Sequence, residues 1–319
     1  MKVVRAGTSV SALLFQSRLK NRPVEQITRY NACATKEGSM NTDSTQEQID
    51  SYRENGFVVQ HDFLTPDELE SWRQAVDGAV RQRGKQRMYN QEVDEDREET
   101  YYDYVFVQRV NLWQDSSDVR RMLLDPRLGK MAASLAGVDG VRLWHDQALI
   151  KQPLANPTGW HLDNPYWSYS SRETLSLWVA LDDATLQNGC LYFLPGSHKT
   201  ATFDNSSIGE NISDIFRIYP QWKDTMAVPA EMKAGSCSFH NGLIAHGAGA
   251  NMTPGWRRAM TCGFMPDGCT FNGKQNILTD EQFASYEIGD ALDDDRQNPL
   301  IFHRSKPYEE KLAERFAES

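Results

Sequence analysis

Over the first half of the chain apolar residues recur every three or four positions; over the second half they alternate or gather in short runs. "TPDELESWRQAVDGAVRQRG", residues 65–84, shows the first pattern, with Leu69, Trp72, Val76 and Val80 on one helical face. Thr65 stands as N-cap, Pro66 takes the first helical position and two acids fill the first turn, which predicts an amphipathic helix packed on something larger. "TQEQIDSYREN", residues 45–55, has helical composition and stops at Gly56, and a short strand is expected in "FVVQHDFL". Two more helices are predicted near "DSSDVRRMLL" and "DPRLGKMAASLAG".

After residue 140 the pattern changes. Segments rich in β-branched and aromatic residues, separated by "NP", "NG", "PGS" and "TPG", predict a β-sandwich or barrel. In "TLSLWVALDD" the residues Leu175, Leu177, Val179 and Leu181 form one face and Thr174, Ser176, Trp178 and Ala180 the other, as in a wall shared by core and pocket. Trp178 is then a pocket residue or an ordinary core aromatic. The acidic stretch in residues 85–104 reads as a solvated loop or as a lid over a site. The tail predicts a loop and a terminal helix, with Asp293, Asp294 and Asp295 as solvated surface because no Gly and Glu stand at calcium-loop spacing.

Composition narrows the class. With 319 residues, 39% of them hydrophobic and 10% aromatic, the chain can bury a large core. A net charge of −10 supplies no general field for phosphate backbones, so nucleic acid is not an expected partner. Five cysteines without regular spacing read as free thiols in a reducing compartment. No apolar run reaches the roughly 18 residues of a membrane span. Residues 1–39 carry seven Lys or Arg against two acidic residues and read as a leader, either an organelle-targeting segment or an extension upstream of a start at Met40. The expected organisation is a leader at 1–44 and one domain at 45–319, with helices to about 137, a β core at about 140–267 and a carboxy-terminal extension; the expected compartment is the cytoplasm.

The chemistry starts at "GWHLDNPYWSY". On an extended strand residues i and i+2 share a side, so His161 and Asp163 could grip one metal from one edge. A third ligand must come from elsewhere, and His246 is best placed because a Thr-Pro-Gly turn follows it, predicting a hairpin with His246 on one arm and Arg257 on the other. Two histidines and a carboxylate are the ligand set of non-haem Fe(II). Arg257 would bring a guanidinium matched to the far carboxylate of an oxoacid. Its rival Arg258 shares a face with Met260, Cys262 and Phe264, which resembles core packing. His240 is the rival third ligand.

In "HLD", in "WVALDDATLQNGCLYFLPGSHK" and in "HGAGANMTPGWRRA", in that order, the chain resembles the phytanoyl-CoA dioxygenase family of Fe(II)- and 2-oxoglutarate-dependent oxygenases over roughly residues 47–265. The resemblance implies a double-stranded β-helix, a jelly roll with flanking helices. It implies iron ligation by His161, Asp163 and His246, a 2-oxoglutarate clamp at Arg257, and a cosubstrate pocket lined by Trp178, Gln147 and Gln108. The implied reaction consumes 2-oxoglutarate and O2, releases succinate and CO2, and hydroxylates a C–H bond of a small molecule. Halogenases near this fold lack the carboxylate ligand, and Asp163 argues against that outcome. A zinc hydrolase of the HExxH type lacks its motif here, and a non-enzymatic jelly roll would be expected to have lost ligands that this chain retains.

Overall fold

The computed structural model describes residues 40–88, 93 and 96–306; the leader at 1–39 and the end of the expected terminal helix lie outside them. Helices α1 (Gln46–Asn55) and α2 (Pro66–Arg83) each open on a full capping box, in which a Thr hydroxyl accepts the amide three residues on and the side chain there accepts the Thr amide. Strand β1 (Phe57–Gln60) runs between them, and β2 (Val107–Val110), α3 (Leu112–Asp115), α4 (Ser117–Leu123) and α5 (Pro126–Ala136) follow. The remaining strands are β3 (Gly140–Lys151), β4 (Thr158–His161), β5 (Leu175–Ala180), β6 (Leu191–Phe193), β7 (Val228–Ala230), β8 (Cys237–Asn241), β9 (His246–Ala248), β10 (Arg257–Pro266) and β11 (Leu300–His303).

These strands form two antiparallel sheets. The larger has the order β1-β8-β5-β10-β3-β11, with β2 also on β3; the smaller has the order β4-β9-β6-β7. The jumps between strands distant in sequence are those of a double-stranded β-helix, here two facing sheets rather than a closed barrel. Strand β3 is long enough to serve three partners: β10 runs along one edge, while β2 and β11 share the other.

The outer face of the large sheet carries the main core. Leu175, Leu177, Val179, Phe239, Met260 and Phe264 pack against Trp72 and Val76 of α2, Leu123 of α4 and Leu128 of α5. Each such side chain, fully buried, contributes about 1.5–3 kcal/mol relative to exposure. Met40, ahead of the domain start expected at residue 45, belongs to this core, its amide donating to Glu68 Oε1 at 2.8 Å.

The tail departs from expectation by adding β11 to the sheet. "LIFH" is too short for its pattern to announce a strand, but Ile301 buries on α5, where a Cβ at Gly129 would lie 2.7 Å from Ile301 Cγ2; the missing side chain lets helix and strand touch. The acidic cluster ahead of it is not all solvated surface either, because Asp295 accepts from Arg142 Nη1 at 2.8 Å and from the Leu300 amide at 3.1 Å, pinning the strand's approach. No helix among the described residues is long and apolar enough to cross a membrane.

Candidate active site

The inner face of the large sheet is polar, and register puts its side chains in rows. Residues His145, Gly263, Ser176 and His240 align across β3, β10, β5 and β8, and the next row holds Gln147, Thr261, Trp178 and Ser238. Opposite, on the small sheet, His161 of β4 and His246 of β9 are register partners, which sets their rings 4.2 Å apart. Between the sheets lies a cavity of about 380 Å³ lined by most of these residues.

Asp163 completes a cluster with the two histidines. The three ligand atoms lie within 4.8 Å of one another, and Asp163 Oδ1 is 3.6 Å from both His161 Nε2 and His246 Nε2. Each ring has its Nδ1 on the carbonyl two residues earlier, His161 on Gly159 O at 2.8 Å and His246 on Ile244 O at 3.1 Å. A proton on Nδ1 leaves the Nε2 lone pair facing the shared point, as a metal ligand requires. Burial pushes the His246 ring down to about 3, so it is neutral. Burial alone would raise the Asp163 carboxyl, but the imidazoles around it, His246 first, hold it well below the usual carboxylate range.

Two expectations about how these residues meet need correction. Strand β4 ends at His161, and Asp163 lies beyond it in helical backbone at the entry to the turn Asn164–Tyr166, so strand alternation does not orient it. Nor do His246 and Arg257 share a hairpin: β9 belongs to the small sheet and β10 to the large one. The Thr-Pro-Gly turn exists, but Asn251 ties it to the end of β3, donating from Nδ2 to Gln152 O at 2.8 Å and to Gly255 O at 2.7 Å, and the chain crosses between sheets there. His246 and Arg257 both line the cavity, from its two walls.

Arg257 is buried, its Cζ 5.2 Å from the Trp178 ring centroid, and its Nε and Nη1 have no hydrogen-bond partner. Burial lowers its pKa to about 10, so it stays charged at neutral pH. A buried cation with two donors unmet is costly unless an anion completes it. Arg258 points the other way and is satisfied, with Asp182 at 2.7 Å and Asp77 at 2.6 Å. Trp178 is both core and wall: it is buried, and its ring lines the cavity.

Gln108 and Gln147 line the cavity and bond to each other, Gln108 Nε2 donating to Gln147 Oε1. Arg87 Nε donates to Gln108 Oε1 at 2.6 Å, and Gln147 Nε2 meets His145 Nε2 at 3.2 Å, an imidazole pushed down to about 4 by burial and so able to accept. Four aromatic residues also line the cavity: Tyr102 from the loop-or-lid segment, Phe106 just after it, and Tyr166 and Trp167 from "NPYWSY". Tyr169 is not there; it is fully buried against Trp144 at 5.2 Å. His240, expected as the rival third ligand, and Ser176, expected on the pocket face of its strand, both line the cavity; Gly263, in the same row, carries no sequence signal of its own. The alternation in "CSFHN" carries the signal for His240, since Cys237 and Phe239 occupy the outer face.

Residues 52–259 match the family described as phytanoyl-CoA dioxygenase (PhyH). Mouse peroxisomal phytanoyl-CoA dioxygenase is 25% identical over 236 residues, covering 70% of this chain and 69% of that one. Among solved structures, the non-haem alpha-ketoglutarate-dependent carbocyclase SnoK from nogalamycin biosynthesis superposes with a TM-score of 0.67 at 25% identity, covering 82% of this chain and 99% of its own. The epimerase SnoN, solved with Fe3+, alpha-ketoglutarate and nogalamycin RO, superposes at 0.62 with 23% identity, covering 80% and 98%.

Proposed function

Because the chain belongs to the phytanoyl-CoA dioxygenase family, we propose that its cavity holds Fe(II) on His161, Asp163 and His246, clamps 2-oxoglutarate with Arg257, and hydroxylates a C–H bond of a small molecule. It is an Fe(II)- and 2-oxoglutarate-dependent dioxygenase. The observation that carries the residue assignment is the shared approach of two Nε2 atoms to one Asp163 oxygen, with both Nδ1 atoms tied to carbonyls. When bound, the metal and cosubstrate supply the oxidising chemistry, releasing succinate and CO2.

The chain's own residues bind, orient and exclude water. The buried Arg257 guanidinium takes the distal carboxylate of 2-oxoglutarate, and Trp178 beneath it fixes the guanidinium plane. Gln108 and Gln147, oriented by Arg87 at one end and His145 at the other, line the wall beside it. Tyr102, Phe106, Tyr166 and Trp167 form the substrate end, suited to a partly apolar molecule. No side chain has to act as general base, which agrees with a cavity whose carboxylate faces the metal position.

Purified protein with Fe(II), 2-oxoglutarate and O2 should release succinate, and Asp163→Ala should lower that rate by more than about a hundredfold, beyond the cost of an outer-shell change. Full turnover by Asp163→Ala would sink the ligand assignment.

A further inference from the structure

Asp163 is the one member of the cluster whose direction no strand sets, because it follows the end of β4 and leads into a turn. Its two oxygens nevertheless face different company. Oδ1 faces His161 and His246. Oδ2 accepts from Ser176 Oγ at 2.7 Å and meets His240 Nε2 at 3.3 Å, and those two residues are register partners on β5 and β8, across the cavity.

We propose that His240 and Ser176 are positioning residues that hold Asp163 Oδ2, so that the carboxylate offers the metal Oδ1 alone. This rests on the metal reading above and deepens it. An imidazole N–H that donates to a carboxylate cannot also give a lone pair to a metal from the same nitrogen, so Nε2 of His240 is excluded as a ligand atom by the bond it makes. Its other nitrogen, Nδ1, is buried with no hydrogen-bond partner. The ring has little freedom to exchange them, lying 5.3 Å from Phe193 and 4.7 Å from the His246 ring. With two donors on Oδ2, a carboxylate swing that brought both oxygens onto the metal would break both bonds. Groups that orient ligands in this way commonly matter to metal affinity about 10–100-fold.

The test uses Co(II) as a spectroscopic probe on the metal-free full chain, with His240→Phe, His240→Gln, Ser176→Ala and Asp163→Ala beside the wild type. The expected result is that His240→Phe and Ser176→Ala each weaken Co(II) binding by about 10–100-fold, whereas His240→Gln, whose amide can donate to Oδ2, stays within a few-fold. The Co(II) d–d spectrum of His240→Phe should also weaken in intensity as Asp163 becomes bidentate and the coordination number rises, a change that a purely structural role would not produce. Thermal midpoints of the metal-free variants establish folding; if His240→Phe does not fold, Ser176→Ala and His240→Gln decide. Wild-type affinity and spectrum in His240→Phe and Ser176→Ala overturn the proposal. So does a folded His240→Gln that binds as poorly as His240→Phe, which would make His240 a ligand. Absent Co(II) binding by the wild type, or wild-type binding by Asp163→Ala, would instead overturn the metal reading itself.

Discussion

The two faces of the large sheet are built from the same strands in the same register and are opposite in character. Outward from β5, β8 and β10 point Leu175, Leu177, Val179, Phe239, Met260 and Phe264, all buried in the main core. Inward point Ser176, Trp178, His240 and Thr261, buried too but lining a cavity. The outer face has every contact it needs; the inner face keeps unmet donors, above all Arg257 Nε and Nη1. Burial by itself therefore does not distinguish stability from function here. The distinction lies in whether the buried groups are satisfied without a ligand.

Arg257→Met breaks that comparison hardest. It should raise the KM for 2-oxoglutarate by roughly a hundredfold, about 3 kcal/mol, as expected when one partner of a buried charge pair is removed. Metal affinity should be unchanged, and the ligand-free protein should be no less stable, because an uncompensated cation has gone. An unchanged KM would show that Arg257 is not the clamp. On the outer face, Leu177→Ala should do the reverse, costing about 2–5 kcal/mol of unfolding free energy in urea titrations while the KM for 2-oxoglutarate stays within twofold. A shifted KM there would mean that the two faces are mechanically coupled.

The same comparison explains how much of the molecule was legible in sequence. Alternation in "TLSLWVALDD" separated the faces of β5 correctly, helical composition closing at Gly56 located α1, and a Thr cap followed by Pro66 and first-turn acids located α2, because these signals are local. Asp163 follows His161 at the spacing a strand would use, yet it reaches the cluster from a turn. His246 and Arg257 both reach the cavity, yet by a sheet crossing rather than a hairpin, since a Thr-Pro-Gly turn reverses the chain without dictating which strand each arm pairs with. Alternation puts His240 on the inner face, but its place beside Ser176 comes from the partnering of β5 with β8, a long-range fact that no local pattern encodes.

The smallest effect lies where the inner face meets the end of β3. Lys151 is the register partner of Arg257 and is fully buried, its Nζ donating to Val105 O at 3.2 Å and Asn156 O at 2.5 Å. Burial, and then the charge of Arg257, lowers its pKa from 10.5 to about 7, whereas Arg257 remains charged throughout the neutral range. Between those two values the unfolded chain holds the Lys151 proton and the folded chain does not, so unfolding takes up a proton and stability rises with pH. The slope is at most about 1.4 kcal/mol per pH unit. Lys151→Met removes that slope, so urea midpoints of wild type and variant should diverge between pH 7.5 and pH 9.5, with the wild type gaining on the variant as pH rises, on the scale of roughly 1 kcal/mol per unit. Parallel midpoints across that range would show that Lys151 keeps its proton in the folded protein, and the inner face would then carry two permanent buried cations rather than one.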